Sequence, residues 1–292
     1  MNIKLIEQIQ REHPDLSIND FYVNELGQNN DVIIVNESLV FRFPKYKQGI
    51  MQLRRETEIL KYIKDIVTMP IPIPIYEAFD ELEPGKVFTG YRLIEGNPLW
   101  RKSFLEIKSD EQLRGLASQL VSFLAAMHSI SEEDLAGREL QLEARHPREE
   151  MSALYEKIQH KLFPFMSKNF QISVSESFED FLKGEALSNV DLALIHGDFG
   201  ASNILWNSVT CEISGIIDFG GSGIGDPAYD FAGLLSSFGE DFFNRCIDQY
   251  PNGKEVAKRV YFYKSTFALQ EALHGIENGD RQAFEAGIRD YR

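Results

Sequence analysis

Cysteine is nearly absent from this sequence: 292 residues contain only Cys211 and Cys246. Two cysteines cannot build a disulfide framework, and no CxxC or Cys/His cluster points to zinc. A reducing compartment is therefore the natural setting. Long apolar runs are missing as well. No uncharged stretch approaches the roughly 18 residues of a membrane helix. The opening "MNIKLIEQIQREHPD" carries charge throughout and does not read as a signal peptide. The expectation is a soluble, cytoplasmic protein with no membrane partner, taken as a monomer. Basic residues are in deficit, 30 Lys and Arg against 45 Asp and Glu, for a net charge of −15. This argues against a nucleic-acid partner, because proteins that bind phosphate backbones show a basic face. It fits plain solubility or an acidic cleft that attracts a polycation, and charge alone does not choose between them. Internal repeats and low-complexity segments are absent too. So are a G-x-S-x-G nucleophile and a P-loop; "GGSGIG" (220–225) fits neither G-x-G-x-x-G nor the G-K-[ST] ending.

What is present supports a large core: 43% of residues are hydrophobic and 12% aromatic. Residues 1–12 read as a short amphipathic helix with Ile3, Ile6 and Ile9 near one side. Strands are expected over Asp20 to Leu26, Val32 to Val35 and Leu39 to Phe43, with turns at "GQNND" and "NES". "GIMQLRRETEILKYIKDI" then places Ile50, Leu53, Leu60 and Ile63 on one helical face. Three alternating prolines in "MPIPIPIYEAF" enforce an extended segment. Val87 to Gly96 closes this group as a strand. Beyond Gly96 the pattern turns helical, strongly so where Leu113, Leu116, Leu120, Leu124 and Met127 recur, with further helices over 147–188 and 230–292. The expected fold is α+β and bilobal, with a β-rich N-terminal lobe over 1–95 and an α-rich C-terminal lobe over 96–292. Clefts between lobes are preferred ligand sites.

Two short apolar runs embedded in the helical half carry the chemistry. "LIHGDFGASNILW" places Asp198 on a glycine-containing loop and Asn203 five residues later. "GIIDFGG" places Asp218 at the exit of a second strand, and Ile204 to Ile217 reads as a hairpin. Carboxylate and amide oxygens suit a hard cation such as Mg²⁺, which shares its shell with substrate phosphates. If Asn203 and Asp218 hold the metal, Asp198 is free to accept a proton from an incoming hydroxyl. Asp226, before Pro227, reads as a turn former, and Asp230 as a cap for the following helix.

His196, Asp198 and Asn203 reproduce the His–x–Asp and Asp-to-Asn spacing of the protein-kinase catalytic loop, and Asp218-Phe219-Gly220 is a literal D-F-G. Gly197 replaces the kinase arginine, and no A-P-E follows, which removes the platform for a protein substrate. The pattern "HGDFGASNILW … GIIDFGGSGIGDPAYDFA" resembles the aminoglycoside phosphotransferase family, which shares the protein-kinase fold, and the resemblance spans most of the chain. "LVFRFPK" after "VIIVNES" is most similar to the 2″-phosphotransferases of subtype IVa.

The resemblance implies transfer of the γ-phosphate of ATP or GTP, with Mg²⁺, to a hydroxyl of a 4,6-disubstituted aminoglycoside, at the 2″ position, and so antibiotic resistance. It makes Asp198 the catalytic base, Asn203 and Asp218 the metal ligands, and His196 a support of the loop. The cation that grips the phosphates is Arg42 in preference to Lys45, partnered by Glu56; Glu58 points about 200° away on an ideal helix. In "LGQNND" only Gly27 answers to the glycine-rich phosphate loop of kinases, and Gln28, Asn29 and Asn30 could replace backbone donors there. Backbone groups of Arg92, Leu93 and Ile94 would meet the purine. Glu240, Asp241, Phe267 and Glu271 are the candidates for a cationic acceptor, together with Asp198. The alternatives are a choline, homoserine or macrolide kinase with the same motifs, or a kinase-fold binding module.

Overall fold

The computed structural model describes residues 2–24, 29–135, 146–188 and 190–292. Gly27 and Gln28, in the expected phosphate loop, and the last residues of the first expected strand lie outside them. Along the chain the elements are α1 (Asn2–Glu12), β1 (Phe21–Asn24), β2 (Asn30–Val35), β3 (Leu39–Pro44), α2 (Lys47–Ile63), β4 (Pro74–Ala78), β5 (Phe88–Arg92) and β6 (Asn97–Pro98). Helices α3 (Arg101–Phe104), α4 (Asp110–His128), α5 (Glu132–Leu135), α6 (Pro147–Lys161) and α7 (Lys168–Lys183) follow. Then come β7 (Ala193–Ile195), β8 (Ile204–Asn207), β9 (Glu212–Ile216) and β10 (Gly223–Gly225). The chain ends with α8 (Ala228–Phe238), α9 (Glu240–Ile247), α10 (Gly253–Asn278) and α11 (Arg281–Ile288). Among the described residues no helix is long and apolar enough to cross a membrane.

The chain divides into two compact units. One contains the chain up to Leu99 together with Ser202–Ser222; the other contains Trp100–Ala136, the segment ending at Ala201, and Gly223–Arg292.

In the first unit, five antiparallel strands run in the order β1-β2-β3-β5-β4. Strand alternation sends Phe41 and Phe43 to one face and Arg42 to the other. The phenylalanine face joins Ile33, Val35 and Phe88, and α1 covers it with Leu5, Ile6 and Ile9. The buried stripe of α1 therefore uses Leu5 in place of the expected Ile3, which is 68% exposed. Spacing of one and four residues keeps 5, 6 and 9 on one side of a 3.6-residue helix, and residue 3 falls outside it. On α2 all four expected residues, Ile50, Leu53, Leu60 and Ile63, are buried. Strand β5 covers Phe88–Arg92 rather than continuing to Gly96, and the Leu93 N–H makes a last bond towards β3, to the Ser38 carbonyl at 2.8 Å. A separate three-stranded sheet has the order β6-β8-β9, with Asn97 opposite Trp206 and Ile204 opposite Ile216.

The second unit is helical. Leu116, Leu120, Leu124 and Met127 of α4 are fully buried, as are Phe231 of α8 and Val260 of α10. Its small sheet pairs β7 with β10, Leu194 opposite Ile224. This pairing holds the start of the loop that carries Asp198.

Candidate active site

The first unit assembles a charged cluster from three separated segments. Arg42 projects from β3, Glu56 from α2, and Asp218 follows β9. Arg42 Nη1 is hydrogen-bonded to Glu56 Oε1, and Arg42 Nη2 lies 3.3 Å from Asp218 Oδ1. The Arg42 and Glu56 side chains are 11% and 3% exposed. Burial opposes the guanidinium charge, but the attraction of Glu56, with Tyr91 and Asp218 adding to it, raises the Arg42 pKa. Burial pushes the Glu56 carboxyl up while Arg42 pulls it down, with a net rise. The pair is ionic, because arginine does not surrender its proton in a protein. Glu58, by contrast, is paired with Lys61 at 2.8 Å. Lys45 Nζ lies 3.9 Å from Asp31 Oδ1.

Two residues of this cluster have no motif to announce them. Gln52, one helical turn before Glu56, donates from Nε2 to the Gly220 carbonyl at 2.8 Å. Glu56 also accepts from the backbone of Phe219. The phenol of Tyr91 sits beside the cluster; burial first, then the charges of Glu56 and Asp218, push its pKa up to about 12 against the pull of Arg42.

Asp218 adopts a left-handed backbone, φ 64° and ψ 69°, which Asp tolerates better than most residues. Its side chain is half exposed. Asn203 is buried, and its carbonyl accepts from the Ile217 N–H at 2.9 Å, so the Asn203 and Asp218 segments face each other across the hairpin. One amide and one carboxylate oxygen form a hard donor set that suits Mg²⁺ with phosphate and water completing the shell. Among the described residues no group of three or more His, Cys, Asp or Glu could hold a metal alone.

The second unit builds the loop around Asp198. Gly197 has φ 78°, a left-handed turn that sets the exposed Asp198 beyond the strand. Phe199 is buried and stacks on Phe123 with ring centroids 5.8 Å apart. Helix α8 passes so close that a Cβ on Gly233 would stand 2.3 Å from the Phe199 carbonyl oxygen, which requires glycine there. His196 is buried and accepts from the Asp198 N–H at 3.2 Å, a structural role.

Asp230 does not cap α8. It is the third residue of that helix, fully buried, and accepts from the N–H groups of His196 and Gly197 at 2.8 Å each and from His128 Nε2 at 3.0 Å. The sequence missed this role because its donors come from distant segments. Asp226 does fix a turn, accepting from the Ala228 N–H at 3.0 Å, and also binds Arg259 and Tyr263.

The acceptor candidates fall into two groups. Phe267 on α10 meets the ring of Tyr229 at 5.4 Å, and Tyr229 donates to Gln270 at 3.1 Å. The Tyr229 phenol is pushed up to about 12, by burial first, with the charges of Glu150, Asp198 and Asp230 contributing. Glu271 is exposed on the same helix, four residues after Phe267. Glu240 instead accepts from Tyr261 at 3.0 Å, and it lies with Asp241 in the first turn of α9. Tyr261 and Phe267 are six residues apart, about 120° around α10. Of the expected purine segment, the Leu93 N–H donates to the Ser38 carbonyl at 2.8 Å.

The α+β architecture, with its sheet in the N-terminal part and helices in the C-terminal part, is that of a protein-kinase-like phosphotransferase. The family model described as "Phosphotransferase enzyme family" matches residues 23–263, and the chain belongs to that family. It is similar to viomycin phosphotransferase of Streptomyces vinaceus, 27% identical over 290 residues that span 97% of this chain and 96% of the relative. A variant of aminoglycoside 2′-phosphotransferase-IIIa in complex with GDP superposes with a TM-score of 0.89 at 25% identity, covering 100% of this chain and 96% of that one. The GDP and kanamycin complex of APH(2″)-IIIa gives 0.88 at 25% identity, covering 98% and 96%.

Proposed function

We propose that this phosphotransferase moves the γ-phosphate of ATP or GTP to a hydroxyl of an aminoglycoside, at the 2″ position of a 4,6-disubstituted member, as a cytoplasmic monomer that confers resistance. The observation that carries the reading is the Arg42–Glu56–Asp218 cluster with Asn203 across the hairpin from Asp218. A buried arginine 3.3 Å from one carboxylate, on a hairpin whose Ile217 N–H is bonded to the Asn203 backbone carbonyl, supports a role in holding phosphate and metal. Full-length similarity to proteins solved with GDP and kanamycin supports the donor and acceptor classes. The two solved structures named above are of type IIIa, and they lend no support to subtype IVa.

In this reading Arg42, held by Glu56, orients the phosphates. Asn203 and Asp218 would hold Mg²⁺, which neutralises phosphate charge when bound. The acceptor hydroxyl attacks the γ-phosphorus in line, its proton passes to the Asp198 carboxylate, and the bond to the nucleoside diphosphate breaks. Positioning and charge neutralisation supply most of the rate. Phe267 and Glu271, with Glu240 and Asp241, form the acceptor's surroundings, and the net charge of −15 suits a polyamine.

A second reading has its own support. The similarity to viomycin phosphotransferase extends over nearly the whole chain, and viomycin is then the acceptor. One panel separates the readings: consumption of ATP and of GTP with kanamycin, gentamicin, neomycin, viomycin, a macrolide and choline. Turnover with kanamycin or gentamicin supports the first reading. Turnover confined to viomycin, a macrolide or choline replaces it.

A further inference from the structure

A hydrogen-bonded chain in the second unit begins far from Asp198 in sequence and ends on its loop. Tyr250 lies in the break between α9 and α10, and its hydroxyl is 2.9 Å from Nδ1 of His128, the last residue of α4. The other ring nitrogen, Nε2, is 3.0 Å from Asp230 Oδ2. Asp230 accepts in turn from the backbone N–H groups of His196 and Gly197, the two residues before Asp198. The His128 and Asp230 side chains are 1% and 0% exposed.

Only one assignment of protons satisfies this chain in its neutral-imidazole form. Burial alone would raise the Asp230 pKa, yet the net direction is down, and the carboxyl accepts from two backbone N–H groups at 2.8 Å with His128 Nε2 at 3.0 Å, so the carboxylate is ionised and only accepts. Nε2 of His128 must then carry a hydrogen. That leaves Nδ1 an acceptor, which needs a donor. The Tyr250 phenol keeps its proton, its pKa raised by burial and then by the charges of Asp230 and Asp226, and is that donor. The other tautomer would set the Nε2 lone pair against a carboxylate.

Asp230, carried on α8, holds both loop N–H groups on one carboxylate, and His128, at the end of α4, is a further contact that fixes how that carboxylate is turned. The ring of Tyr250 is itself held against Phe231 at 4.7 Å.

We propose that Tyr250 is a positioning residue: by donating to His128 Nδ1 it holds the imidazole in the tautomer that grips Asp230, and so fixes the backbone that places Asp198. This rests on Asp198 being the base in the proposed reaction.

Tyr250→Phe keeps the ring and removes only the hydroxyl. The expected result is a fall in kcat of about 3–10-fold, the scale of one lost hydrogen bond, with the KM for nucleotide unchanged. His128→Gln retains an N–H donor for Asp230 but has no tautomer to set. In that background Tyr250→Phe should change kcat by less than about twofold, the signature of coupled residues. By NMR, the amide resonances of His196 and Gly197 should shift in Tyr250→Phe. An unaltered kcat, an equal loss in both backgrounds, a nucleotide KM that rises with the loss, or unmoved amide resonances would each overturn the proposal. A wild-type chain that consumes no nucleotide with any acceptor counts against the reading of Asp198, and the amide resonances then still decide whether Tyr250 acts on the loop.

Discussion

Arg42 and Glu56 stand 14 residues apart, one on a strand and one on a helix, and meet as a buried ion pair whose arginine also faces Asp218 at 3.3 Å. Two nitrogens of one guanidinium thus address two carboxylates. A lysine has one ammonium and cannot reproduce that fork. Arg42→Lys should raise the KM for nucleotide about tenfold, the equivalent of one charge-assisted hydrogen bond of ~1.5 kcal/mol. Glu56→Ala should be harsher, destabilising the first unit by about 3 kcal/mol, because it removes the buried partner of the guanidinium and leaves it only the half-exposed Asp218 at 3.3 Å. Initial-rate kinetics and urea titration check the two outcomes.

The roles proposed for the aspartates separate by readout. Asp198→Asn should lower kcat by on the order of 10²–10⁴ and leave nucleotide affinity alone. Asp218→Ala should abolish Mg-dependent nucleotide turnover. Steady-state nucleotide consumption measures both; an Asp198→Asn protein with normal turnover removes that residue from the mechanism.

Asp226 and Arg259 make a second buried pair, joined at 2.5 Å and 2.8 Å with Tyr263 as a third partner at 2.9 Å. Arg259→Met leaves the Asp226 carboxylate buried without its cation. A loss of about 3–5 kcal/mol is expected from the midpoint of chemical unfolding. A loss below about 1 kcal/mol would show that Tyr263 and the Ala228 N–H suffice.

Asp230 links stability to pH. Its folded pKa is depressed below the ordinary value of about 3.9. A carboxyl depressed by folding contributes stability that is fully present above its unfolded pKa and is lost as pH falls through the folded pKa. The second unit should therefore lose this contribution on acidification below about pH 4. Asp230→Asn should flatten that part of the stability curve, measured by urea unfolding from pH 6 down to pH 3. A curve with the same acid slope as the wild type would assign the loss to other carboxylates.

How much of this was legible depended on how local each signal is. Strand alternation places Arg42 opposite Phe41 and Phe43, and helical spacing separates Glu56 from Glu58, but it is the resemblance to the kinase pattern that singles out Arg42 and Glu56 as partners. Asp198, Asn203 and Asp218 announce themselves through short apolar runs and fixed spacing. Gln52 and Tyr91 have no such pattern; only the folded packing brings them to the cluster. Asp230 looks like a helix cap from its neighbours alone, and its donors include His128, 102 residues away. The pairing of β6 with β8, Asn97 opposite Trp206, is equally non-local. A boundary drawn where composition changes, after residue 95, follows local pattern and carries no information about such pairings.

Helix α2 touches the D-F-G segment at two points one turn apart, Gln52 on the Gly220 carbonyl and Glu56 on the Phe219 backbone. The aspartate proposed to hold the metal thus travels with this helix. On that reading, any displacement of α2 is transmitted to the proposed metal ligand through these two hydrogen bonds.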